Sequence, residues 1–275
     1  MWKKSSILLV LGLVMTFISC QSTYDKLLTS TDNELKLKTA NEYNETGEYY
    51  KAQMLYEQVM PFYRGTPQID TVYFNYAYTH YKLENYILAS YYFKNFTQTF
   101  TNSVFSEEAA YMTAFSNYQM SPNLKLDQTY TFKAIEGFQF FANKYPTSEK
   151  VATCNSLIDE MRKKLEEKAV ENAELYYRLS NYQSADKAFK NLLIDYPESK
   201  DAEKIRYRIV QASYKQAENT IELKQVERYE TVIKNCNSFK SKHSESDYSN
   251  QVEAILKDSK SKIARLTDSS TVGEK

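Results

Sequence analysis

The chain has 275 residues, 42% of them hydrophobic, and its 35 basic residues balance 35 acidic ones. With no basic surplus to neutralise phosphates, there is no electrostatic case for nucleic-acid binding. Glycine and proline occur only five times each, too few for a sheet built on tight hairpins, whereas aromatics reach 15% with 25 tyrosines, a loading that suits interlocking helices.

The first predicted element is a removable one. Lys3 and Lys4 precede an apolar run from Ile7 to Ile18, and Ser19 stands before Cys20. Positive start, apolar stretch too short to span a bilayer and small residue at the junction are the parts of a secretory signal over residues 1–19. Ending in cysteine, the segment resembles the lipobox of a bacterial lipoprotein; an ordinary signal with an incidental cysteine is the competing reading. The resemblance implies that Cys20 becomes the lipidated N-terminus. It also implies that Gln21, not being Asp, permits sorting to an outer membrane, on its periplasmic face. Removal would leave 256 residues, 33 basic and 35 acidic, with a net charge of about −2. No later run is long and apolar enough to cross a membrane, so the lipid would be the only anchor.

Residues 20–30 are expected to be a tether, and Thr31 with Glu34 reads as a capping box opening the first helix. Helical spacing of apolar residues then recurs throughout, predicting an all-α fold. Ala40, Ala77 and Ala114 return every 37 positions, and Ala173 is a fourth copy after a longer gap. A second set, Ala52, Ala89, Ala134 and Ala185, is followed one helical turn later by Tyr56, Phe93, Phe138 and Phe189. The two alanines of a unit stand 12 apart in copies one, two and four, but 20 apart in copy three. That difference is an eight-residue insertion beginning Ser121-Pro122. Small residues are needed where two helices cross closely, and the aromatic fills the space beside the crossing. Pro146 and Pro197 each fall 12 residues after the second alanine, where proline stops a helix. A fifth, degenerate copy covers Glu198 to Ser244, with Ala212, Ala217, Val232 and Cys236 at the small and apolar positions. Glu149 to Tyr177 reads as one extended helix bridging copies three and four. In it, Arg162 with Glu166 and Lys163 with Glu167 form i,i+4 pairs on a solvated face.

The repeat pattern resembles the tetratricopeptide family, helix-turn-helix units near 34 residues, and implies a superhelix of about five helix pairs plus a C-terminal helix. The expected organisation is repeats one to three over residues 31–146, repeats four and five over 147–246, a terminal helix over 247–266 and a disordered tail over 267–275. The lipobox, the insertion Pro122-Asn123-Leu124-Lys125-Leu126-Asp127-Gln128 and the endings Tyr145-Pro146-Thr147-Ser148 and Tyr196-Pro197-Glu198-Ser199 sharpen the likeness. Together they resemble the family of BamD-like lipoproteins of the outer-membrane β-barrel assembly machine, over roughly residues 20–245. That resemblance implies a non-enzymatic scaffold. Its C-terminal repeats would hold the POTRA region of a BamA-like barrel, and its N-terminal repeats would receive unfolded outer-membrane proteins.

In such repeats the first helix of each pair lines the concave groove. Counting from the alanines places Asn41, Asn44, Tyr78, Tyr81, Phe115 and Tyr118 there, with Asn75, Lys82 and Gln119 on adjoining offsets. Amides can satisfy an extended peptide backbone while rings supply apolar contact. The plain alternative is that some of these rings only pack against the next repeat. Cys154 and Cys236 fall on different repeats and read as buried free thiols, with a disulfide left open. His80 and His243 stand near no cysteine cluster, so no metal is expected. No phosphate loop or nucleophile elbow appears, and nothing calls for a cofactor. Two other classes stay open: a repeat lipoprotein that binds glycans, and one that coordinates cell-wall synthesis in the periplasm.

Overall fold

The computed structural model describes residues 24–272, with side chains described to residue 268. All regular structure among these residues is helical. A helical segment over residues 24–29 precedes α1 (Asn33–Glu45) and α2 (Tyr49–Val59), the latter running into a 3-10 turn over Met60–Tyr63. The chain continues as α3 (Ile69–Lys82) and α4 (Tyr86–Thr99), then α5 (Ser106–Gln119) and α6 (Thr129–Lys144). Then come α7 (Val151–Arg178) with α8 (Tyr182–Asp195), α9 (Ala202–Glu218) with α10 (Glu222–Lys242), and α11 (Ser249–Val272). No helix among the described residues is long and apolar enough to cross a membrane.

Burial follows the alanine spacing. Ala40, Ala77, Ala114 and Ala173 of the first helices, and Ala52, Ala89, Ala134 and Ala185 of the second, are wholly buried. The aromatics one turn on, Tyr56, Phe93, Phe138 and Phe189, are buried as well. Each such ring removed from water stabilises the pair by about 1.5–3 kcal/mol, and the alanines beside it let the two backbones approach. In the fifth pair Ala212, Ala217, Val232 and Cys236 take the same roles.

The turn within a pair is also repeated. Gly47, Glu84 and Ser180 all have positive φ, at 83°, 59° and 58°. The amide that follows each of them closes the helix end in the same way: Glu48 N–H to Tyr43 O at 2.8 Å, Asn85 to His80 at 2.9 Å and Asn181 to Tyr176 at 3.0 Å. This is the Schellman ending, in which a left-handed residue turns the chain and satisfies carbonyls of the last turn.

The third pair is built differently. Its longer connection is held from within by Gln128, which is buried. The Gln128 amide donates to the carbonyls of Asn123 at 2.9 Å and Leu126 at 3.0 Å, and its oxygen accepts from the Thr131 hydroxyl at 2.7 Å. Ser121 Oγ lies 2.6 Å from the same hydroxyl. The insertion is thus a closed loop that fixes where α6 begins.

The chain divides into two compact units between Met161 and Arg162, inside α7, whereas the sequence reading sets its boundary at 146/147. In the first unit the leading part of α7 supplies Cys154, Ile158 and Met161 to a core with Ala114, Ala134, Phe138 and Phe141. In the second, Ala173 packs with Ala185, Phe189, Leu192 and Ile205. A further core of that unit joins Tyr229, Val232, Cys236 and Phe239 to Val252 and Leu256 of α11.

Two local expectations are corrected and a third is extended. Asp32, not Thr31, caps α1: its Oδ1 accepts from the Leu35 amide at 2.9 Å, three residues on, where the orphan N–H groups of a helix start lie. Arg162 reaches Glu198 Oε1 at 2.6 Å and covers the Tyr196 ring at 5.6 Å, contacts across the fold that spacing along one helix does not reveal. Lys163 does face Glu167, at 4.0 Å. Finally, α11 runs on to Val272, past residue 266, and Ile263 and Leu266 pack on its core.

Cys154 and Cys236 are free and buried. Burial pushes the Cys154 thiol up to about 11 and that of Cys236 to about 12, so both stay protonated and inert.

Candidate functional site

The residues picked out for a groove lie on α1, α3 and α5, the first helices of the first unit's three pairs. Four of the rings stand in line. Tyr78 and Tyr81 on α3 are 6.0 Å apart between ring centres, Tyr81 meets Phe115 of α5 at 6.1 Å, and Phe115 stacks on Tyr118 at 5.8 Å. All four are half-buried. The row therefore passes from one repeat to the next, and each of its residues keeps some contact with solvent. Behind it, Phe74 lies 6.1 Å from Tyr78 and Tyr111 lies 5.4 Å from Phe115. Offset and edge contacts of this kind add about 0.5–1.5 kcal/mol per pair beyond burial, so the row is stiff.

Polar groups border it. Lys82 holds its ammonium 5.3 Å above Tyr78 and 5.9 Å above Tyr49. Gln119 is exposed and hydrogen-bonds the Tyr81 hydroxyl. Burial raises the pKa of that hydroxyl, an effect the amide opposes by donating to its ionised form. Tyr118 Oη donates to Glu160 Oε1 at 3.1 Å, and burial together with this carboxylate holds its proton on. The phenols of Tyr81 and Tyr118 are therefore neutral at physiological pH.

The asparagines are placed otherwise. Tyr56 Oη donates to Asn41 Oδ1 at 2.7 Å, and Asn75 hydrogen-bonds the same hydroxyl, so these two amides tie the buried ring of α2 to α1 and α3. Burial drives the Tyr56 pKa far above that of a free phenol. Asn44 is half-buried and its Oδ1 is enclosed without a hydrogen-bond partner. Tyr78, Tyr81, Lys82, Phe115, Tyr118 and Gln119 thus form one surface, and Asn41 and Asn75 form a clamp beside it. Cys20 lies outside the described residues.

Sequence counting missed Tyr49 and Tyr86, which flank the row: Tyr86 sits 5.5 Å from Tyr81. A signal for them was present. Tyr49, Tyr86 and Tyr182 each open the second helix of their pair, and Tyr182 meets Tyr177 at 5.4 Å as Tyr86 meets Tyr81.

Residues 30–183, more than half of the chain, match the family YfiO, described as an outer membrane lipoprotein. The chain belongs to that family. The matched stretch contains every residue of the ring row and its polar border, and it agrees with the BamD-like resemblance read from the sequence. No curated protein matches the chain. Among solved structures, the chain is similar to the TPR2AB domain of yeast Sti1, solved in complex with pHSP90. Identity is 12% and the TM-score 0.39, over 83% of this chain and 98% of that one. It is also similar to TTC0263, a thermophilic TPR protein of Thermus thermophilus, with 12% identity and a TM-score of 0.33 over 82% and 98% of the two chains. A third similar chain is the yeast histone chaperone Hif1, with 12% identity and a TM-score of 0.28 over 89% and 98%.

Proposed function

We propose that the chain is a non-enzymatic scaffold of the outer-membrane β-barrel assembly machinery, lipidated at Cys20 and held on the periplasmic face of the outer membrane. Its first unit would receive unfolded outer-membrane proteins, and its second would hold the POTRA region of a BamA-like barrel. The observation that carries the reading is the half-buried row Tyr78, Tyr81, Phe115 and Tyr118, which crosses two repeats. Such a row gives apolar contact without demanding one sequence, and phenol and amide groups at its border can satisfy an extended backbone. Membership of an outer membrane lipoprotein family supports the address. For the partner-holding role, the second unit exposes Leu179 by 68% after α7, and Ile221 by 66% and Leu223 by 90% at the start of α10, apolar side chains of the kind that partners cover.

The test replaces Tyr78 and Tyr81 with alanine and measures binding of a barrel-derived peptide alongside the thermal melt. Affinity should fall at least tenfold in a folded variant; unchanged affinity refutes the groove. Copurification from detergent-solubilised outer membrane tests the partner. A POTRA-bearing barrel in stoichiometric amount is the expected outcome, and a sugar transporter or cell-wall enzyme in its place refutes the assignment.

A further inference from the structure

On α5 the ring-row residues Phe115 and Tyr118 form one stripe with Tyr111, which stands behind the row. A second stripe, Ala110, Thr113, Asn117 and Met120, points about 150° away on a turn of 3.6 residues. That second stripe is the floor of a cleft of about 590 Å³ between α4 and α6. Beside the floor, Gly137 brings α6 against α5 at Ala114. Ser90 Oγ, reaching the Thr113 carbonyl at 3.3 Å, pins α4 to the same helix. Both walls are therefore anchored to α5, and the space between them is open.

The walls combine two chemistries. Ile87 and Tyr91 on α4 are exposed by 61% and 56%, and Phe140 on α6 by 55%, although all three line the cleft. Among them stand Lys94, Lys133 and Lys144, none of which takes part in an ion pair among the described residues. Lys133 and Lys144 lie over the rings of Tyr130 and Phe140, at 5.0 and 5.6 Å, which keeps their ammonium groups at the rims. Glu136 is the one acidic group lining the cleft. A neutral chain thus concentrates three lysines against one carboxylate around an apolar trough.

We infer that this cleft is a second docking site, distinct from the ring row, for an acidic amphipathic segment of a partner polypeptide. Charge complementarity selects the occupant. Aspartate or glutamate side chains would meet Lys94, Lys133 and Lys144, while leucine or phenylalanine side chains at helical spacing would lie against Ile87, Tyr91 and Phe140. The walls set its length: Ile87 to Gln98 on α4 and Tyr130 to Lys144 on α6 span about 16–21 Å at 1.5 Å per residue, the reach of a three- to four-turn helix.

The probe is a fluorescein-labelled 14-residue peptide carrying four glutamates and leucines at i and i+4, titrated into the full-length lipidated chain in detergent micelles. Its counterparts carry lysine for glutamate, or serine for leucine. Saturable binding of the parent peptide is expected, with at least tenfold weaker binding of either counterpart. The triple variant Lys94→Glu, Lys133→Glu, Lys144→Glu changes only exposed side chains and should weaken binding at least tenfold with an unchanged melt. Tyr78→Ala with Tyr81→Ala should leave it intact, which separates failure of this site from failure of the ring row. Equal binding by wild type and the triple variant overturns the inference. So does a chain that self-associates through the cleft, seen as a dimer that the triple variant dissolves, or one whose cleft lysines serve binding to anionic vesicles but not to the peptide.

Discussion

A β-carbon built on Gly137 would stand 2.8 Å from Cβ of Ala114 and 3.1 Å from its Cα, closer than real side chains pack. The backbone of α6 therefore rests on α5 at this point, and it is the contact that shapes both sides of the first unit's third pair. Gly137→Ala offers a gain of about 1 kcal/mol in helix propensity. Against it stands overpacking at about 1–3 kcal/mol, and the clash is with backbone and Cβ, which cannot swing aside. A lower melting temperature by circular dichroism is expected, and a rise would mean that the crossing is looser than described.

Gln128 closes the α5–α6 connection with hydrogen bonds to Asn123, Leu126 and Thr131. Gln128→Ala would remove the hydrogen bonds that this side chain makes to Asn123, Leu126 and Thr131, at about 0.5–1.5 kcal/mol for each. The loop can open to water, so the expected signature is local rather than global. Limited proteolysis should cut the variant within residues 120–128 at conditions that leave the wild type whole. Equal resistance would show that the amide is dispensable.

Gly47, Glu84 and Ser180 hold the same left-handed position in three turns, and only the first is glycine. An ordinary side chain there carries strain of about 1–3 kcal/mol, partly offset because glycine loses more freedom on folding. Ser180→Gly should thus stabilise by about 0.5–1 kcal/mol, and Gly47→Ala should destabilise by a similar amount. Chemical denaturation of both variants reads the signs, and matching signs would remove the strain account.

How much of this was legible in the sequence differs by interaction range. The alanines at 40, 77, 114 and 173 announced the pairs because a buried crossing tolerates nothing larger, a constraint each repeat restates. Tyr81 and Phe115 meet for the same reason: they sit four and one past a crossing alanine. The groove count gave no hint that Asn41 and Asn75 hydrogen-bond Tyr56, a contact decided by a third residue whose hydroxyl must find partners once the ring is buried. Arg162 and Glu198 are likewise joined by packing, not by spacing. The cleft between α4 and α6 left no trace in the repeat pattern, since it follows from the insertion and from one glycine.

His80 yields the last prediction, in acid. The imidazole is buried between Tyr92, stacked at 4.9 Å, and Tyr76, edge-on at 4.8 Å, and neither ring nitrogen has a hydrogen-bond partner. Burial holds its pKa below the usual 6.5, favouring the neutral form in the folded chain. The unfolded chain therefore binds a proton here first as pH falls. Stability from this site is complete above pH 6.5 and declines from there down to the folded pKa. Melting temperatures from about pH 7.5 to 5 should fall for the wild type, and His80→Phe, which keeps an aromatic ring between the tyrosines, should flatten that slope. A parallel fall in both proteins would assign the acid sensitivity to other groups.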